Sequence, residues 1–80
     1  MVPQLTLYYM PSCPYCQQVL DFLEEKNIQL PLKDTVSNPA NRDELRKIGG
    51  KTQVPCLVID GKALYESDDI IAWLGKNWKK

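Results

Sequence analysis

Histidine is missing altogether from the 80 residues. That removes imidazole both as a general base near neutral pH and as the commonest protein metal ligand. There is no excess charge of either sign, since Lys+Arg and Asp+Glu both count 10. Zero formal net charge leaves no electrostatic case for nucleic acid or an anionic membrane as the main partner. The short basic end Lys76, Lys79, Lys80 reads as a solvated helix terminus. No stretch approaches the roughly 20 apolar residues of a membrane span, and Met1-Val2-Pro3-Gln4 carries no cation of the kind that opens a signal peptide. Repeats, linkers and low-complexity tracts are also absent. What remains is ordinary globular composition, 44% hydrophobic and 25% charged, in a chain long enough for one modest core and one domain, 1–80. Three cysteines, an odd count, fit poorly with a secreted disulfide scaffold. The cytoplasm is the expected compartment, where a close cysteine pair means redox chemistry or metal.

The pattern along the chain predicts β-α-β-α-β-β-α. Gln4 to Tyr9 is rich in β-formers and reads as a first strand. Met10-Pro11-Ser12 breaks it, and Cys16, Val19, Leu20 and Leu23 then fall at helical spacing, in a helix from about Cys13 to Lys26-Asn27 with Pro14 in its tolerant first turn. Ile28 to Lys33 reads as a second strand, placed at a sheet edge by Pro31. Asn38-Pro39 opens a second helix carried by Leu45 and Ile48 and ended by Gly49-Gly50. Cys56 to Ile59 is a continuous apolar run, the mark of a strand buried on both faces. Asp60-Gly61 signals a hairpin into Lys62-Ala63-Leu64-Tyr65. Ser67 is expected to cap a last helix, with Asp68 and Asp69 at the positive end of its dipole and Ile70, Ile71, Leu74 and Trp78 facing inward. A right-handed crossover makes the first two strands parallel and the hairpin adds an antiparallel pair. The expected fold is α/β, a four-stranded mixed sheet flanked by helices.

Cys13-Pro14-Tyr15-Cys16 carries the chemistry. Cys13 lies where unpaired N–H groups and the helix dipole favour an anion, so its thiol should ionise readily. Cys16, one turn on, faces the core and should be less exposed and less acidic. Cys13 is therefore the expected nucleophile and Cys16 the resolving thiol. Lowering a thiol pKa from about 8.5 to about 5 raises the thiolate fraction at pH 7 roughly thirtyfold. Intrinsic nucleophilicity falls by a similar factor, with a Brønsted slope of about 0.4–0.5. The net gain is a better leaving group.

Three motifs together resemble the glutaredoxin family: Cys13-Pro14-Tyr15-Cys16 after a strand, Gln53-Val54-Pro55 before a buried strand, and Ser67-Asp68-Asp69 opening the last helix. The resemblance spans nearly the whole chain. It implies a thioredoxin-like fold and the use of glutathione to reduce protein disulfides and glutathione mixed disulfides. By the same resemblance Cys13 would hold the glutathionyl sulfur with Tyr15 beside it. Pro55 would be cis, and the Val54 backbone would pair with the cysteinyl part of glutathione like a short added strand. Ser67 and Asp68 would take the γ-glutamyl end, and Lys51 with Gln53 the glycyl carboxylate. Two departures stand out. Met10 occupies a position where many glutaredoxins carry lysine, and Tyr65-Glu66 replaces a usual Gly-Gly pair. The segment Ala63 to Leu74 is closer to the N-terminal domain of glutathione transferases, in which a Glu-Ser pair, here Glu66-Ser67, holds the γ-glutamyl group.

Other readings remain open at this point. Cys56 reads as a small core side chain, with a third redox thiol as the alternative. One of Tyr8 and Tyr9 is core and the other can flank the site, while Trp73 and Trp78 read as packing. A metal or iron–sulfur module would have only Cys13, Cys16 and Cys56 to offer from one chain, and Pro14 disfavours a cluster by resemblance. A thioredoxin-like reductase served by a flavoprotein is a further alternative. No metal and no second subunit are expected.

Overall fold

The computed structural model describes residues 4–77. The expectations for Met1 to Pro3 and for Trp78, Lys79 and Lys80 lie outside the described residues. The elements are β1 (Leu5–Tyr9), α1 (Pro14–Glu25), β2 (Leu32–Asp34), α2 (Pro39–Gly49), β3 (Cys56–Ile59), β4 (Lys62–Tyr65) and α3 (Ser67–Asn77). The strands form one mixed sheet in the order β2-β1-β3-β4. β1 runs parallel to β2 and antiparallel to β3, and β3 is antiparallel to β4. This is the thioredoxin-like arrangement expected from the sequence.

Alternation along the central strands divides the core in two. Leu5, Leu7 and Leu57 point to the face covered by α1 and α3, where they meet Val19, Leu23, Ile70 and Leu74. Trp73 and Ile71 pack against the same cluster. Tyr8, Cys56 and Val58 point to the other face and meet Leu45 of α2. Cys56 is thus a fully buried core side chain. Tyr8 and Lys33 both donate to the Glu44 carboxylate, at 2.9 and 2.7 Å, and so tie α2 to the sheet.

Local signals account for most boundaries. Cys13 is extended (φ −87°, ψ 122°) and Pro14, which has no N–H to leave unpaired, opens α1. The Asn38 side chain accepts from the Ala40 N–H at 3.1 Å, which caps α2. Gly50, at φ 82°, ends α2 and returns its N–H to the Arg46 carbonyl. Asp60 (φ 50°) and Gly61 (φ 86°) both take the positive φ of a type I′ hairpin turn.

Three expectations need correction. β2 follows Pro31 instead of containing it, spanning only Leu32–Asp34. Proline cannot donate to a ladder, and its carbonyl accepts from Leu7 N–H at 2.9 Å just before the strand proper begins. The predicted edge position holds, but Ile28 and Leu30 serve the α1-side core instead of the sheet. Second, Ile48 is 38% exposed. α2 meets the sheet along the row Leu45 and Gly49, four residues apart, with Gly49 against Tyr65 and Ala63. Ile48 is turned off that row. Third, Ser67 is the first residue of α3, not its cap. Glu66, at φ 73°, takes the preceding position, and its carbonyl accepts the first helical bond from Ile70 N–H at 3.0 Å.

Leu57 is fully buried on the central strand. Leu57→Ala is expected to cost about 2–5 kcal/mol, read as a lower urea midpoint with retained slope.

Candidate active site

Strand directions collect the sequence motifs at one end of the sheet. Tyr8 pairs with Cys56, and Cys56 with Tyr65. The exit of β1, the entry of β3 and the exit of β4 therefore lie side by side. The loop to Cys13, the segment Gln53-Val54-Pro55 and the turn Glu66-Ser67-Asp68 follow directly from those three ends. The Val54–Pro55 peptide is cis, as the resemblance implied.

Cys13, Cys16 and Cys56 are all free thiols. Cys13 is partly exposed at the start of α1, and its N–H donates to the Met10 carbonyl at 3.1 Å. Partial burial alone would raise its pKa. The Cys16 N–H, the Cys16 thiol and the Tyr15 N–H outweigh that by favouring the thiolate, and the balance is lower than for an ordinary thiol. Cys16 is fully buried. Burial pushes its pKa up to about 12; the Met10 N–H, 3.4 Å from its sulfur, works against this, and the neighbouring Cys13 reinforces it. The pair is thus polarised, one sulfur inclined to ionise and the other to keep its proton. Burial likewise holds the Cys56 thiol up at about 11.

A cleft of about 410 Å³ is lined by Tyr15, two residues on from Cys13, and by Gln53, Val54, Pro55, Glu66, Ser67 and Asp68, while Cys13 itself is not part of the lining. These are the residues the sequence assigned to ligand binding, with the exception of Lys51. The volume suits a small-molecule ligand. Tyr15 is 62% exposed and forms the wall nearest the thiol-bearing helix start. Gln53 and Glu66 approach across the cleft, Nε2 to Oε1 at 3.4 Å. Lys51 lies elsewhere: its ammonium sits 4.5 Å from the centre of the Tyr65 ring. Sequence reasoning also missed the Met10 N–H. A backbone donor is the same for every residue except proline, so nothing in the identity of Met10 could reveal it. Among the described residues no group of three or more Cys, Asp or Glu side chains is placed to hold a metal ion.

Comparison with known proteins agrees with this geometry. The family described as Glutathione S-transferase, N-terminal domain matches residues 7–79. Glutaredoxin 3 of Escherichia coli is 32% identical over 66 residues, covering 82% of this chain and 80% of the relative. The chain belongs to the glutaredoxin family. Among solved structures, a thioredoxin-like protein superposes with a TM-score of 0.78 at 27% identity, covering 94% of this chain and all of the other. An Omega-class glutathione transferase from Trametes versicolor gives 0.78 at 34% identity, this chain's 91% corresponding to 33% of that one. The glutaredoxin-family chain is a thiol–disulfide oxidoreductase of thioredoxin fold, and no helix among its described residues is long and apolar enough to cross a membrane.

Two outcomes are expected. Neutral Cys16 and Cys56 have raised pKa values in the fold, so their stabilisation is complete below the ordinary thiol pKa of about 8.5. It is lost as pH climbs toward about 12 and about 11. Urea midpoints should fall above about pH 8.5, and less steeply in Cys56→Ala. Separately, Glu66 is a non-glycine residue at φ 73°. Glu66→Gly should stabilise the fold by about 1 kcal/mol in urea titrations while removing one carboxylate from the cleft.

Proposed function

We propose that this glutaredoxin-family chain is a glutathione-dependent reductase of protein disulfides and of glutathione mixed disulfides. The observation that carries the reading is the cleft formed by Gln53, Val54, Pro55, Glu66, Ser67, Asp68 and Tyr15, the last only two residues from Cys13, whose thiol has a lowered pKa.

The Cys13 thiolate attacks the glutathionyl sulfur of a mixed disulfide. A Cys13–glutathione disulfide forms, the original S–S bond breaks, and the target thiolate leaves and takes a proton from water. A second glutathione thiolate then attacks the bound glutathionyl sulfur, which releases glutathione disulfide and regenerates the Cys13 thiolate. The lowered pKa assists this second step, in which Cys13 is the leaving group. On a protein disulfide, Cys16 attacks the mixed disulfide at Cys13 instead, passes its proton to the departing thiolate and closes a Cys13–Cys16 disulfide. Two glutathione molecules reopen that bond. Cys16, buried and protonated until its neighbour has reacted, suits this second role.

In the cleft the backbone of Val54 pairs with the cysteinyl part of glutathione, in the manner of a short added strand. The start of α3 receives the γ-glutamyl end: N–H groups at Ser67 and Asp68 for its carboxylate, and the Asp68 and Glu66 carboxylates for its ammonium. Gln53 is left to face the glycyl end. The partners are glutathione and disulfide-bearing or glutathionylated proteins, met by a monomeric single-domain chain in the cytoplasm, where glutathione keeps thiols reduced.

Cys13→Ser is expected to abolish glutathione-coupled reduction of a mixed disulfide, and Cys16→Ser to keep much of it. Equal loss in both would overturn the monothiol route. Titration with glutathione should shift the amide resonances of Val54, Ser67 and Asp68. Silence there, together with turnover by a flavoprotein reductase, would replace glutathione as the electron donor.

A further inference from the structure

The two walls of the cleft come from separate parts of the chain, and one side chain outside it ties together the segments that carry them. Tyr65 closes β4, and the next three residues, Glu66, Ser67 and Asp68, form one wall. The other wall is Gln53, Val54 and Pro55, at the end of an irregular segment that begins after Gly50. The Tyr65 hydroxyl donates to the Lys51 carbonyl of that segment at 3.2 Å. The Lys51 ammonium folds back over the same ring, 4.5 Å from its centre. Beneath, Tyr65 packs on the buried cluster of Tyr8, Leu45, Cys56 and Val58. Tyr65 itself does not line the cleft.

A second observation shows that the fold makes room for this contact. Gly49 is the last residue of α2, and its backbone does not have positive φ. Its conformation would accept alanine, which is the better helix former. A Cβ at this position would run into the Tyr65 hydroxyl oxygen and lie 2.9 Å from Cζ of the ring. A side chain here would displace the Tyr65 hydroxyl and also crowd the Ala63 Cβ at 3.0 Å, so the bare backbone of Gly49 leaves the room that the contact occupies.

We infer that Tyr65 is a positioning residue for the cleft, a latch that holds the Lys51-to-Pro55 segment in register with Glu66-Ser67-Asp68 and thereby sets affinity for glutathione. The latch also fixes where Lys51 goes. Its charge is spent on an aromatic face, so the cleft lining keeps two carboxylates, Glu66 and Asp68, and no cation among the described residues. The ammonium end of a ligand is gripped more firmly than a carboxylate end. This inference rests on the glutathione reading for its ligand, but the contact itself can be tested without one.

Tyr65→Phe keeps the ring and removes only the hydroxyl. Amide resonances of residues 51–54 are expected to move in the free protein, with those of α1 unchanged. The KM for glutathione should rise about three- to tenfold, the effect of one lost hydrogen bond. Turnover at saturating glutathione and the pH profile of Cys13 alkylation should stay at wild-type values. Gly49→Ala, which displaces the Tyr65 hydroxyl, should raise KM in the same way. An unchanged KM in Tyr65→Phe with unmoved 51–54 resonances would overturn the latch. So would a shift of the Cys13 alkylation profile along with KM, which marks a general structural defect. If the wild-type protein does not turn over with glutathione, the glutathione reading falls and the latch is decided by the 51–54 resonances alone.

Discussion

The antiparallel pairing of β1 with β3, in the register Tyr8 opposite Cys56, is the constraint on which the rest depends. It places the end of one central strand beside the beginning of the other. A thiol-bearing helix start and the Val54–Pro55 segment then share one end of the sheet. The same register assigns Leu5, Leu7 and Leu57 to one face and Tyr8, Cys56 and Val58 to the other. A slip of one residue would turn one strand over relative to the other and mix the two sets. Core and site are therefore fixed by a single alignment. The hairpin to β4 extends it and delivers the start of α3 to the same end.

Within that frame the two motif cysteines differ for reasons that owe little to side-chain chemistry. Both are thiols three residues apart on one helix. Cys13 precedes the first turn, where N–H groups have no helical partner, and these stabilise a negative sulfur. Cys16 has turned inward against the core, where a charge would be poorly solvated. With no histidine in the chain and methionine at position 10, the difference in acidity between the two sulfurs rests on helix geometry and burial.

Much of this was legible in the residues because local chemistry and global fold agree. Asn38-Pro39, Gly50 and Asp60-Gly61 each impose a backbone conformation that few other residues would, and the turns and caps formed where they stand. The continuous apolar run Cys56 to Ile59 announced a central strand. Less could be read where tertiary contact decides. Pro31 was known to suit an edge, but which side of it the strand occupies depends on the Leu7 N–H across the sheet. Ile48 has the spacing of a core residue, yet α2 lies closest to the sheet at Gly49, a residue without a side chain to advertise the contact. Lys51 was a free cation in the sequence and an aromatic-bound one in the structure. Its partner stands 14 residues away and was notable at first only for replacing a glycine. Glu66 departed from the same glycine pair, and it holds the left-handed backbone that a glycine would take without strain.

The crowding of Gly49 against Tyr65 also bears on how such a chain can drift in sequence. Neither position is free while the other is as it is. With the tyrosine in place, a side chain at the end of α2 must push the ring aside, although alanine there would suit the helix. Without the ring the Ala63 Cβ still stands 3.0 Å away. The two sites, 16 positions apart, are coupled, so the cost of a change at one depends on the residue held at the other.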